Sequence, residues 1–111
     1  VVTKDGEEWL EKLPGPYTLI FKLKKNCVAK EVNLGLDTLG IRIPNHWIRK
    51  LVAEANVPIV TTSVNFSGQK PANNINEIPK EILEKVDVII DGGELSGKPS
   101  TLIKDGKIIE R

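Results

Sequence analysis

The stretch DGGELSGKPST, residues 91–101, sets Gly92, four intervening residues, then Gly97 and Lys98, one letter short of the glycine-rich loop that cradles nucleotide phosphates. That loop needs Ser or Thr directly after the Lys to hold magnesium, and a helix there whose free N–H groups take phosphate. Pro99 stands in that place and offers no N–H. The following STLIKDGKIIER sets Asp105-Gly106 between two β-branched, apolar runs, which predicts a hairpin instead of a helix start. A phosphate loop built on Lys98 is therefore not expected.

Two other places could carry chemistry. Arg42 lies between Ile41 and Ile43 in a predicted strand; its guanidinium either points to solvent or forks onto a carboxylate or phosphate, because it cannot be buried alone. TTSVNFSG, residues 61–68, gathers Thr61, Thr62, Ser63, Asn65 and Ser67 at the end of a second predicted strand. Such a cluster gives hydroxyl and amide donors to a ligand, or forms an ordinary capped turn. Ser63 has no His or acid beside it in sequence, so nothing marks it as a nucleophile. His46 reads as a helix-start residue, and Trp9 and Trp47 as packing residues. Lys22, Lys24, Lys25 and Lys30 form a basic stretch of the kind that keeps a sheet edge solvated. A single His and a single Cys, Cys27, exclude a His/Cys metal site.

The elements that must position these residues follow from pattern. DGEEWLEK (5–12) predicts a short helix, YTLIFKLK (17–24) a strand, and KKNCVAKEVNLGLDT an exposed connection. LGIRI (39–43) predicts a strand stopped by Pro44, and HWIRKLVAEAN a helix capped by Asn45 with Ile48, Leu51, Val52 and Ala55 facing a core. VPIVTTS then predicts a strand, completing a βαβ crossover. VNFSGQKPANNINEI is a polar loop, PKEILEK a short helix, and VDVIID a strand buried on both faces.

Composition sets the outer bounds. At 111 residues and 40% hydrophobic content the chain fits one domain with a modest core. A net charge of +1 gives no global field toward nucleic acid or membrane. No apolar run reaches the roughly 20 residues of a membrane span, and one cysteine suits a reducing compartment, so a cytoplasmic location and no membrane partner are expected. The Asn65-Phe66-Ser67 sequon is read as coincidence. A start at Val1-Val2-Thr3 suggests a processed or truncated product.

Five separated motifs, LPGPYTLIF, LGIRIPNHWI, PIVTTSVNFSG, VDVIIDGG and GKPSTLI, occur in the order and spacing of the YrdC-type domain of threonylcarbamoyl-AMP synthases. The chain resembles the later part of that domain from about Leu13 to Arg111, so residues 1–111 are expected to form its C-terminal portion, and the fold expected is α/β: a twisted mixed sheet with packed helices, a partial YrdC-like domain. The lysine- and arginine-bearing first part of the family domain has no counterpart here. The resemblance implies condensation of L-threonine with bicarbonate or CO2 and ATP to threonylcarbamoyl-AMP and pyrophosphate, with Mg2+ arriving on the ATP. The product serves the modification of adenosine 37 in certain tRNAs through a downstream transferase.

By the same resemblance, Thr38, Ser63 and Arg111 match nucleotide-contacting positions, with Asn65 and Pro71 near the nucleotide. Arg42, Thr61 and Ser100 match positions facing the threonine. Trp47 and Val64 stand where many members carry proline and alanine. Two rival expectations remain: a module binding double-stranded RNA or tRNA, and a folded but inactive structural fragment.

Overall fold

The computed structural model describes residues 6–25 and 27–110. In chain order the elements are α1 (Glu7–Leu10), β1 (Tyr17–Lys22), α2 (Lys30–Asn33), β2 (Thr38–Ile41), α3 (Ile48–Ala55), a 3-10 turn (Ile75–Glu77), α4 (Lys80–Leu83), β3 (Thr101–Lys104) and β4 (Lys107–Ile109). The chain divides into two units, one built from residues up to Ile59 together with those from Pro99 onward, the other from Val60–Lys98.

The first unit holds a four-stranded mixed sheet in the order β2-β1-β3-β4. β1 runs antiparallel to β2 and parallel to β3, and β3 turns back on β4. The turn is the expected one: Asp105 at φ 51° and Gly106 at φ 73° supply the two left-handed residues of a tight hairpin. Alternation along β1 sends Leu19 and Phe21 inward, where with Ile103 they form the buried core, flanked by Trp9, Leu13, Tyr17 and Ile41. Trp9 crosses onto this end of the sheet, donating from Nε1 to Gly106 O at 3.1 Å and meeting Tyr17 edge-on with centroids 5.3 Å apart. Gly6 is buried because a Cβ there would sit 2.6 Å from Phe21 Cε1; only glycine lets the chain pass so close to the ring.

β1 and β2 are joined by a clasped loop. Leu23 N donates to Asp37 O at 2.8 Å, closing its two ends. Within it lies α2, which sequence pattern placed in an exposed connection. Leu34 adopts φ 56° and Gly35 φ 74° to turn the chain, and Asn33 Nδ2 donates to Leu36 O at 2.6 Å and Thr38 O at 3.0 Å.

Several local expectations are corrected. β2 ends at Ile41, so Arg42 lies one residue past the strand. α3 begins at Ile48 with Trp47 as its N-cap residue and no side-chain cap. Asn45 does not cap it; His46 Nδ1 instead accepts from Ile48 N at 3.3 Å. On α3, Ile48 and Val52 are half-buried while Leu51 and Ala55 are exposed, so the apolar stripe is only partly covered. Residues 57–63 belong to no ladder among the described residues, and the predicted βαβ unit is not closed by them.

Among the described residues the second unit takes part in no ladder and is held by turns. Ala72 N donates to Val64 O at 3.0 Å and Leu95 N to Asn73 O at 2.7 Å. Asn74 caps the 3-10 turn by accepting from Glu77 N at 3.1 Å, while Glu77 Oε2 accepts from Asn73 N at 2.8 Å, a reciprocal pairing close to a capping box. Asn74 Nδ2 also reaches Glu94 Oε2 at 2.8 Å. VDVIID is not the buried strand expected: Val88 is 74% and Ile90 69% exposed. A run apolar on both faces becomes a central strand only when strands pair with both of its edges. No helix among the described residues is long and apolar enough to cross a membrane.

Candidate functional site

The register of the first unit decides which residues share a surface. Side chains alternate across a strand, so residues in register on neighbouring strands point the same way. Leu19↔Ile41 and Leu19↔Ile103 belong to the core face. Ile20↔Gly40, Lys22↔Thr38 and Thr18↔Leu102 therefore belong to the opposite face. Ser100, one residue before β3, continues these rows, whereas past Ile41 the β1–β2 pairing slips: Gly15 N donates to Ile43 O at 2.9 Å, two residues out of register. Thr38, Gly40 and Ser100 thus share the sheet face turned away from the core, with Arg42 just past the end of β2.

Two contacts confirm that orientation. Thr18 Oγ1 and Ser100 Oγ are 2.5 Å apart across β1 and β3. A Cβ on Gly40 would meet Thr18 Cγ2 at 3.1 Å. Gly40 follows Thr38 on this face, about 7 Å along at strand rise. Its bare backbone lowers the centre of the face, and a glycine inside a strand is a common way to let a ligand approach the main chain.

The two expectations set for this face occupy different ends of it. Ser100 and, past the end of β2, Arg42, both matched to threonine-facing positions, lie toward the start of β1. Thr38, matched to a nucleotide position, stands at the far end opposite Lys22, with its carbonyl held by Asn33. Arg42 is exposed and makes no salt bridge among the described residues, which leaves its fork open to an anion. Arg111 lies outside the described residues.

The remaining sequence-predicted residues lie in the second unit. Thr61, Ser63 and Pro71 are exposed and Asn65 is half-buried. Asn65 Nδ2 donates to Phe66 O at 2.8 Å, while its buried Oδ1 has no hydrogen-bond partner. An enclosed amide oxygen without a donor is costly and marks a place where a ligand N–H would be favourable. The same unit carries a cavity of about 180 Å3 lined by residues that include Val64, Asn73, Ile78, Ile90, Asp91 and Gly93. Among the described residues no group of three or more His, Cys, Asp or Glu gathers to hold a metal ion.

Thr18, Gly40 and Asn33 were not singled out from sequence. Gly40 was findable as a glycine inside a predicted strand. Thr18 and Asn33 gave no signal until the register and the clasp placed them.

A mixed sheet with this open polar face has a clear family affiliation. The Sua5/YciO/YrdC family model, described as "Telomere recombination", matches residues 2–110, and the chain belongs to that family. It is 47% identical over 104 residues to the putative threonylcarbamoyl-AMP synthase of Methanocaldococcus jannaschii, covering 87% of this chain and 46% of that protein. It is 37% identical over 110 residues to the threonylcarbamoyl-AMP synthase of Pyrococcus abyssi, covering 93% of this chain and 32% of that one. The crystal structure of P. abyssi Sua5 complexed with L-threonine superposes at a TM-score of 0.81 with 33% identity, over 94% of this chain and 31% of that chain. The chain therefore spans less than half the length of these curated relatives.

Proposed function

We propose that this chain supplies part of the substrate site of an L-threonylcarbamoyladenylate synthase. The observation that carries the proposal is the shared face of Thr38, Gly40 and Ser100, open at a glycine and turned away from the core, with the exposed Arg42 just past the end of β2. The L-threonine complex of P. abyssi Sua5, a relative with the same fold, supports an amino acid as the ligand.

The chemistry suits neutral donors and an arginine. The amine of L-threonine takes up bicarbonate or CO2 to form a carbamate. A carbamate oxygen then attacks the α-phosphorus of ATP, forming the P–O bond of threonylcarbamoyl-AMP and expelling pyrophosphate; water is the further product when bicarbonate is used. No protein nucleophile is required, and the protein's task is alignment and charge stabilisation. Arg42 forks onto the threonine carboxylate, and Ser100 and Thr61 offer hydroxyls to its polar groups. Thr38 and Ser63 hydroxyls donate to phosphate oxygens, with Asn65 and Pro71 beside the nucleotide and Arg111 adding positive charge. Magnesium is bound by the triphosphate. The product leaves for a transferase acting on tRNA, in the cytoplasm.

The test is formation of threonylcarbamoyl-AMP and pyrophosphate by the complete gene product, measured by mass spectrometry and coupled pyrophosphate release. Strict dependence on L-threonine, bicarbonate and ATP is expected. Absence of L-threonine binding by calorimetry would overturn the assignment. Salt-sensitive binding of double-stranded RNA in its place would favour the nucleic-acid reading.

A further inference from the structure

Thr18 has its side chain fixed on two sides. Its hydroxyl lies 2.5 Å from Ser100 Oγ on β3, and its methyl faces the space above Gly40 on β2, where an added Cβ would come within 3.1 Å. A β-branched side chain has few χ1 choices, and these two neighbours select one of them. The hydrogen bond in turn restricts the Ser100 hydroxyl, since it engages either the proton or one lone pair of Ser100 Oγ. Thr18 adjoins Leu19, whose partner on β2 is Ile41, the residue before Arg42. Thr18 thus stands beside the serine that the proposed function turns toward the amino acid.

We propose that Thr18 is a positioning residue for the amino-acid subsite, holding the Ser100 hydroxyl in the orientation in which it meets L-threonine. The proposal rests on the amino-acid role of Ser100 stated above. Thr18 needs no contact with substrate to act in this way, and its loss is felt where Ser100 acts and not at the nucleotide.

The experiment is calorimetric titration of the complete gene product with L-threonine, together with steady-state kinetics, for Thr18→Val, Thr18→Ser and Ser100→Ala. Thr18→Val keeps shape and strand preference but removes the hydroxyl. It should raise the threonine Kd and KM about tenfold, as expected for loss of one orienting hydrogen bond in a half-buried site. The KM for ATP and kcat at saturating threonine should stay within about twofold of wild type, and Thr18→Ser should restore threonine affinity. If Thr18→Val does not fold, Thr18→Ala compared with Thr18→Ser gives the same contrast. Wild-type threonine affinity in Thr18→Val, an equal rise in the KM for ATP, or no rescue by Thr18→Ser overturns the proposal. A loss of affinity in Ser100→Ala without one in Thr18→Val removes Thr18 alone. Unaltered affinity in Ser100→Ala removes the substrate role of Ser100, and the role of Thr18 with it.

Discussion

Gly40→Ala separates space required by a ligand from space required by the fold. Gly40 is not in the left-handed region, since the glycines with positive φ are Gly35, Gly68, Gly93 and Gly106, so backbone conformation does not demand glycine there. Removing a glycine's freedom in the unfolded chain is worth about 0.4–1 kcal/mol of stability. Against this, the new Cβ would press on Thr18 Cγ2 at 3.1 Å, tighter than ordinary van der Waals contact. Turning Thr18 off its rotamer to relieve the contact costs about 0.5–1.5 kcal/mol. The two effects nearly cancel, and urea unfolding should show stability within about 1 kcal/mol of wild type. Ligand affinity should not be spared. Displacing Thr18 disturbs its contact with Ser100, and the added methyl raises the floor of the face that holds Thr38 and Ser100, so calorimetry should show threonine binding weakened by about tenfold or more. Unchanged affinity would refute the idea that this face receives the amino acid. A stability loss beyond about 3 kcal/mol would instead make Gly40 a packing requirement.

Arg42→Ala should raise the threonine KM by at least about a hundredfold through loss of a charge-assisted fork, with the fold intact because the side chain is exposed; unchanged steady-state kinetics would remove it from the site. Gly6→Ala should destabilise the first unit by about 1–3 kcal/mol in chemical denaturation, as the Phe21 ring is forced out of a core that includes only two other buried side chains among the described residues. Asn33→Ala removes both amide bonds of the clasp before Thr38; hydrogen exchange at residues 36–38 should accelerate and nucleotide affinity fall by about fivefold, while threonine affinity holds. Val88→Lys should change the unfolding free energy of this chain by less than about 0.5 kcal/mol, because the side chain is largely exposed, and should raise the concentration at which it aggregates, read by light scattering.

Local chemistry was legible in the sequence wherever a residue type and its neighbours sufficed. Asp105-Gly106 announced the β3–β4 hairpin, Pro99 ruled out a phosphate loop, and alternation in YTLIFK marked the strand that carries the core. What required a partner was not legible. VPIVTTS and VDVIID have strand composition, but a strand is defined by the ladder it joins, and residues 57–63 and 86–91 join none among the described residues. Asn45 has the chemistry of a helix cap, yet the imidazole of His46 took the neighbouring N–H. The motifs matched Arg42 and Ser100 to threonine-facing positions by resemblance; the common face of Thr38, Gly40 and Ser100 follows only from the parity of β1 against β2 and β3. Thr18 shows the limit most clearly, since its importance depends on a serine 82 residues further along the chain.

That separation also shapes how the molecule is made. β1 and β2 are near neighbours in the chain and can associate early, but the parallel pairing of β1 with β3 needs the long stretch between them, residues 23–100, to be synthesised first. Leu19 and Phe21 leave the ribosome long before Ile103 arrives to cover them. Closing so long a loop is slow, and apolar surface stays exposed meanwhile. Substitutions that weaken the β3–β4 hairpin should therefore lower the yield of folded protein more than they lower its equilibrium stability.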